Sequence, residues 1–113
     1  MITILHNPRC RKSREGLAIL ENSGKDFEVR KYLDDKVDEE ELSGIIKKLD
    51  IEPMALVRKS EVIWKEKYKG KTLSDKALIK AMVEHPKLIE RPIVIANNKA
   101  VIGRPAESIL DII

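Results

Sequence analysis

The order of strand-like and helix-like segments at the two ends of the chain most limits how it can fold. Ile2-Thr3-Ile4-Leu5 reads as a short buried strand, and His6-Asn7-Pro8 breaks it. From about Lys12, Leu17, Ala18 and Leu20 recur at helical spacing, and Ser23-Gly24 stops that helix. Asp26 to Leu33 alternates weakly, with Phe27, Val29 and Tyr32 as inward positions, which predicts a second strand. Strand, helix and strand in this order predict a parallel βαβ unit with a right-handed crossover. Near the other end, Ile93–Ala96, Asn97-Asn98 and Lys99–Ile102 predict a hairpin with a two-residue turn. Gly103-Arg104-Pro105 follows, with Pro105 as the first residue of a last helix buried through Ile109, Leu110 and Ile113.

Between these ends the pattern is helical. Asp38 caps a helix, with Glu41 three residues on, and Leu42, Ile45, Ile46 and Leu49 form one apolar stripe. Ile51-Glu52-Pro53 interrupts it. Met54 to Tyr68 reads as short helices that bury Leu56, Val57, Ile63 and Trp64, and Gly70 ends them. Ser74 caps a further helix facing inward through Leu78, Ile79, Met82 and Val83, which His85-Pro86 closes. The expected fold is therefore α/β: β-α-β, a helical insertion at roughly 38–86, then β-β-α, in one domain spanning 1–113 with a mixed sheet of about four strands.

The sequence has 113 residues, enough for one core, and 42% hydrophobic residues argue against disorder. Its 22 basic and 19 acidic residues leave +3, too balanced to call for nucleic acid. No segment approaches the ~18 apolar residues of a membrane span. One cysteine and no disulfide framework fit a reducing cytoplasm. No cluster with metal-ligand spacing is read.

That cysteine, Cys10, sits where the first helix starts, flanked by Arg9, Arg11, Lys12 and Arg14. Helix N-terminal amides and cations both favour the thiolate, the reactive form. The competing reading is a small buried hydrophobe, which so many adjacent cations disfavour. Ser13 completes a C-x-x-S arrangement. Its hydroxyl is either a donor to the thiolate or simply a first-turn helix residue. His6 either tunes Cys10, helps position Asn7, or is a hydrogen-bonded structural histidine. Pro92 is either a cis-proline in a tight turn or an ordinary trans residue at a strand start. Arg58, Arg91 and Arg104 lie in apolar or turn contexts. Arginine binds oxyanions through a planar fork of donors, so this trio matters if the fold gathers it near Cys10; singly, each reads as a surface arginine. Lys65-Glu66-Lys67-Tyr68-Lys69-Gly70-Lys71 reads as a solvated helix face.

Four segments in series resemble the glutaredoxin-dependent arsenate reductase family. They are His6-Asn7-Pro8-x-Cys10-x-x-Ser13-Arg14, Leu56-Val57-Arg58-Lys59, His85-Pro86-x-Leu88-Ile89-x-Arg91-Pro92-Ile93-Val94 and Gly103-Arg104-Pro105-x-Glu107. The resemblance implies a thioredoxin-like fold with a helical insertion and a cis peptide before Pro92. It implies Cys10 as catalytic nucleophile, Arg58, Arg91 and Arg104 as oxyanion ligands, and His6, Asn7, Ser13 and Arg14 as the thiolate's surroundings. It also implies arsenate or a similar oxyanion as substrate, glutathione as co-substrate and glutaredoxin as protein partner. A single cysteine independently requires an outside thiol to regenerate it. One departure is that Arg11 and Lys12 stand where such reductases usually carry a small residue after the cysteine.

Two alternatives stay open. One is an Spx-like regulator that binds RNA polymerase, although those typically carry C-x-x-C and Ser13 replaces the second thiol here. The other is a glutathione-linked monothiol reductase without arsenate activity.

Overall fold

A computed structural model describes residues 1–113. The chain divides into two compact units, one formed by Met1–Asp35 with Arg91–Ile113 and the other by Lys36–Glu90.

The first unit holds the sheet. β1 (Ile2–Leu5) leads to α1 (Arg11–Asn22) and β2 (Phe27–Arg30); β3 (Ile93–Ala96) and β4 (Lys99–Ile102) form the hairpin. The strand order is β2-β1-β3-β4. β1 runs parallel to β2, pairing Ile4 with Val29, and antiparallel to β3, pairing Ile4 with Val94. β4 pairs antiparallel with β3, and Asn97 in the two-residue turn takes a positive φ of 58°. Asparagine tolerates that left-handed conformation better than most side chains. β1 and β3 are the central strands, so their side chains are the most enclosed. Ile4 and Val94 join Leu20 of α1 and Ile109 in a fully buried cluster, with Leu17, Phe27 and Val101 packed against it. A βαβ half and a ββ half in this order make the thioredoxin fold.

Several details differ from the sequence expectation. Val29 is exposed although it shares a strand face with Phe27, because β2 is an edge strand. Ala18 and Leu110 are also exposed. The last helix is a 3-10 segment, Ala106–Asp111, and Pro105 precedes it as the cap residue and not as its first member. Tyr32 is buried, but in the turn after β2 and not within the strand.

The second unit is helical. α2 (Glu39–Leu49) starts where the Asp38 carboxylate accepts from the Glu41 N–H at 2.8 Å, and Leu42, Ile45 and Ile46 are its buried side. Its ends suit the helix dipole, with Glu39, Glu40 and Glu41 in the first turn and Lys47 and Lys48 in the last. A 3-10 turn, Pro53–Leu56, leads to α3 (Val62–Lys67), which buries Trp64. α4 (Asp75–Glu84) is capped by the Ser74 hydroxyl, which accepts from the Ala77 N–H at 3.1 Å; it buries Leu78, Ala81 and Met82. A second 3-10 turn, Pro86–Leu88, follows. Beyond it, Ile89 forms an isolated antiparallel bridge with Val57. No helix is long and apolar enough to cross a membrane.

Candidate active site

Cys10 caps α1 in extended conformation (φ −95°, ψ 122°). Its N–H donates to the Asn7 carbonyl at 3.0 Å, and its carbonyl accepts the Arg14 N–H at 3.0 Å. The thiol is half-buried.

The loop before it is set by one buried hydroxyl. Ser13 Oγ lies 2.7 Å from His6 Nδ1 and accepts the Asn7 N–H at 3.0 Å. Asn7 Oδ1 accepts the Arg9 N–H at 3.0 Å, and Arg14 Nη1 donates to the Pro8 carbonyl at 3.0 Å. Ser13 and His6 thus act by shaping the loop; the Ser13 hydroxyl is spent on His6 and Asn7 and does not serve the sulfur. Arg14 likewise braces the loop backbone. Burial, followed by the charges of Lys31 and Arg14, holds the His6 imidazole below its ordinary pKa, so His6 is neutral at pH 7. Cys10 therefore has no imidazolium beside it.

Activation comes from the far end of the unit. Burial pushes the Cys10 thiol up, but the Arg91 hydrogen bond, the Ser13 amide, the Arg91 charge and the Lys12 amide outweigh it. The net effect is a thiol below its ordinary range. Arg104 Nη2 lies 3.5 Å from Sγ, and its Nε donates to the Arg91 carbonyl at 2.7 Å. The two arginines flank the open end of the β3–β4 hairpin, where Ile93 pairs with Ile102, and are tied to one another beside the sulfur. The Arg91–Pro92 peptide is cis, as the resemblance implied; Arg104–Pro105 is also cis, which nothing in the sequence reading anticipated.

The Pro92 ring is enclosed by two glycines. A Cβ on Gly16 of α1 would lie 2.8 Å from Pro92 Cγ, and one on Gly103 would lie 2.9 Å from the same atom. Only a bare backbone fits at either place, which lets α1 and the residue after β4 close on the proline beside Arg91. Sequence reading passed over Gly16 and named Gly103 only as part of a motif, because neither takes a positive φ that would mark its role.

Arg11 and Lys12 both turn to Glu15 on α1. Arg11 Nε pairs with Glu15 at 3.4 Å and Lys12 Nζ with the same carboxylate at 3.7 Å, both largely exposed. Cations in the first turn of a helix oppose its dipole, and α1 has no acid there to offset them. The arrangement is the reverse of that in α2, and it leaves the start of α1 strongly electropositive.

Arg58 belongs to the second unit. There its Nη1 donates to Glu90 Oε1 at 2.6 Å, and its N–H donates to the Leu88 carbonyl at 2.7 Å. The first unit thus brings Cys10, Arg91 and Arg104 together, and Arg58 is held by its own partner.

A half-buried thiol at a helix start, lowered by Arg91 and contacted by Arg104 on a thioredoxin fold, defines a protein built for nucleophilic thiol chemistry. The ArsC family profile matches residues 5–112. An arsenate reductase of Neisseria meningitidis serogroup A is 46% identical over 96% of this chain and 94% of its own. One from Haemophilus influenzae is 44% identical over 99% of this chain and 98% of its own. Among solved structures, an arsenate reductase from Vibrio cholerae superimposes with a TM-score of 0.95 at 49% identity, covering 99% of this chain and 97% of that one. The chain belongs to the ArsC family.

Proposed function

We propose that the protein reduces arsenate, or an oxyanion of the same shape and charge, through a covalent intermediate on Cys10. The observation that carries this reading is the lowered thiol of Cys10 beneath Arg91 and Arg104. An anionic nucleophile repels an anionic substrate unless fixed cations offset the charge, and arginine's donor fork suits a tetrahedral oxyanion. Arg58 enters as a third ligand on the sequence resemblance.

In the proposed first step the Cys10 thiolate forms an S–As bond, and one arsenate oxygen leaves as water after protonation. Glutathione thiolate then attacks Sγ. The new S–S bond forms as the S–As bond breaks, and its electron pair stays on arsenic, which leaves as arsenite. The two electrons come from the two sulfurs. Glutaredoxin thiolate next attacks the glutathione sulfur of the mixed disulfide and releases Cys10 as thiolate. The resolving thiol must come from another molecule, since Cys10 is the chain's single cysteine.

The test is arsenite formation from arsenate with glutathione and glutaredoxin, comparing the wild type with Cys10→Ser. Turnover in the wild type and none in the variant is expected. Absence of turnover in the wild type rejects arsenate as substrate.

A further inference from the structure

We propose that Glu90 is a positioning residue for oxyanion binding, holding the Arg58 guanidinium so that its Nε–Nη2 edge is kept for the anion. The inference rests on the reading above that Arg58 is an oxyanion ligand. Sequence analysis singled out Arg58 but not its partner.

The placement starts in the backbone. Val57 and Ile89 form an antiparallel bridge. Arg58 N–H donates to the Leu88 carbonyl at 2.7 Å, and Glu90 N–H donates to the Leu56 carbonyl at 2.9 Å. These two bonds clamp the segments Leu56–Arg58 and Leu88–Glu90 side by side. The side chains then meet at 2.6 Å between Nη1 and Oε1, with only 17% of the Arg58 and 24% of the Glu90 side chain exposed. A charge-assisted bond of that length in a partly desolvated setting fixes the plane of the guanidinium.

What remains on Arg58 is informative. Its Nε is buried and has no hydrogen-bond partner. Buried donors in folded proteins are nearly always paired, so an unpaired N–H on an otherwise anchored guanidinium marks an edge whose acceptor comes from outside the chain. Glu90 takes one end nitrogen. The remaining edge, Nε with Nη2, has the parallel donors that bind two oxygens of a tetrahedral anion. Glu90 could alternatively compete with the anion by its charge. The two roles separate cleanly by substitution: Glu90→Gln keeps the length and an acceptor oxygen but removes the charge, while Glu90→Asp keeps the charge but is too short for the 2.6 Å contact.

The first measurement is the arginine side-chain ¹H–¹⁵N spectrum of the full-length protein, with the Arg58 signal assigned by its loss in Arg58→Lys. Hindered rotation about the Arg58 Nε–Cζ bond is expected in the wild type and in Glu90→Gln, and free rotation in Glu90→Asp. Free rotation in the wild type overturns the proposal. The second is protection of Cys10 from iodoacetamide by inorganic arsenate and phosphate. Loss of one immobilised side chain predicts protection roughly 3- to 10-fold weaker in Glu90→Asp, within about 2-fold of wild type in Glu90→Gln, and equal alkylation rates without anion. Equal protection in all three proteins overturns the proposal, as does tighter protection in Glu90→Gln, the mark of charge competition. If neither anion protects even the wild type, the oxyanion reading of the site falls, while the spectra still decide whether Glu90 orients Arg58.

Discussion

Adding one methyl group at Gly103 tests how tightly the Pro92 corner is built. The new Cβ would stand 2.9 Å from Pro92 Cγ, 3.1 Å from Ile109 Cδ1 and 3.4 Å from Ile109 Cγ1. The proline ring cannot swing aside like the end of a long side chain. Gly103 is itself pinned, because its N–H donates to the Pro92 carbonyl at 2.8 Å. Relief therefore needs a backbone shift at the proline corner together with movement of Ile109, which is fully buried in the core. Overpacking of this kind costs about 1–3 kcal/mol. With about 2.1 cal/mol/K of unfolding entropy per residue, each kcal/mol lowers the Tm by roughly 4 °C, so Gly103→Ala should melt about 4–13 °C below wild type. Gly16→Ala makes the same clash at 2.8 Å with Pro92 Cγ, but inside a helix. There alanine recovers about 1 kcal/mol of helix propensity, so Gly16→Ala should be the milder substitution by about that amount. Thermal and urea unfolding of both variants, followed by circular dichroism, measures this. A Gly103→Ala protein as stable as wild type, or a Gly16→Ala protein less stable than Gly103→Ala, refutes the reasoning.

Other expectations concern charge and caps. Iodoacetamide alkylation of Cys10 should reach half its maximal rate below the ~8.5 of a free thiol, and Arg91→Ala should raise that midpoint because it removes both a hydrogen bond and a charge; a wild-type midpoint at the free value contradicts the activated thiol. Folding disfavours the charged form of His6. The unfolded chain therefore binds more protons below about pH 6.5, and stability should be complete above that pH and decline as pH falls through the lowered folded value. Urea midpoints compared with those of His6→Gln should show the flatter acid limb in the variant. Asp38→Ala removes the cap bond to Glu41 and should cost about 1 kcal/mol, read from the urea midpoint, while an unchanged midpoint shows that the cap contributes nothing.

Much of the fold was legible because local rules and tertiary packing agree. The Asp38 and Ser74 caps, the Asn97-Asn98 turn and the apolar runs of β1 and β3 each state their structure within a few residues. The failures share a cause. Alternation assigned Val29 to a buried face, but parity along a strand says nothing about whether that strand lies at a sheet's edge. Helical spacing at Ile109 and Leu110 could not distinguish an α-helix from the 3-10 turn that forms. In the site, Cys10 was legible from its neighbours, and Arg91, Arg104 and Pro92 from the family resemblance. Glu90 was not, because its significance lies in a bridge between residues 57 and 89 that no local pattern announces. Ser13 was read either as a donor to the sulfur or as a plain first-turn helix residue, and its buried hydroxyl instead serves His6 and Asn7.

The unit that holds the nucleophile is assembled from two stretches of chain that Lys36–Glu90 separates. During synthesis Cys10 emerges well before Arg91 and Arg104. Until then β1 lacks its neighbour β3, and the thiol lacks the cations that make it reactive. A ribosome-bound or truncated chain ending before Arg91 therefore lacks the largest effect that lowers the thiol, and is slower toward oxidants and disulfides. Full reactivity thus waits on completing the fold, so an unfinished molecule exposes a less activated thiol than the folded one.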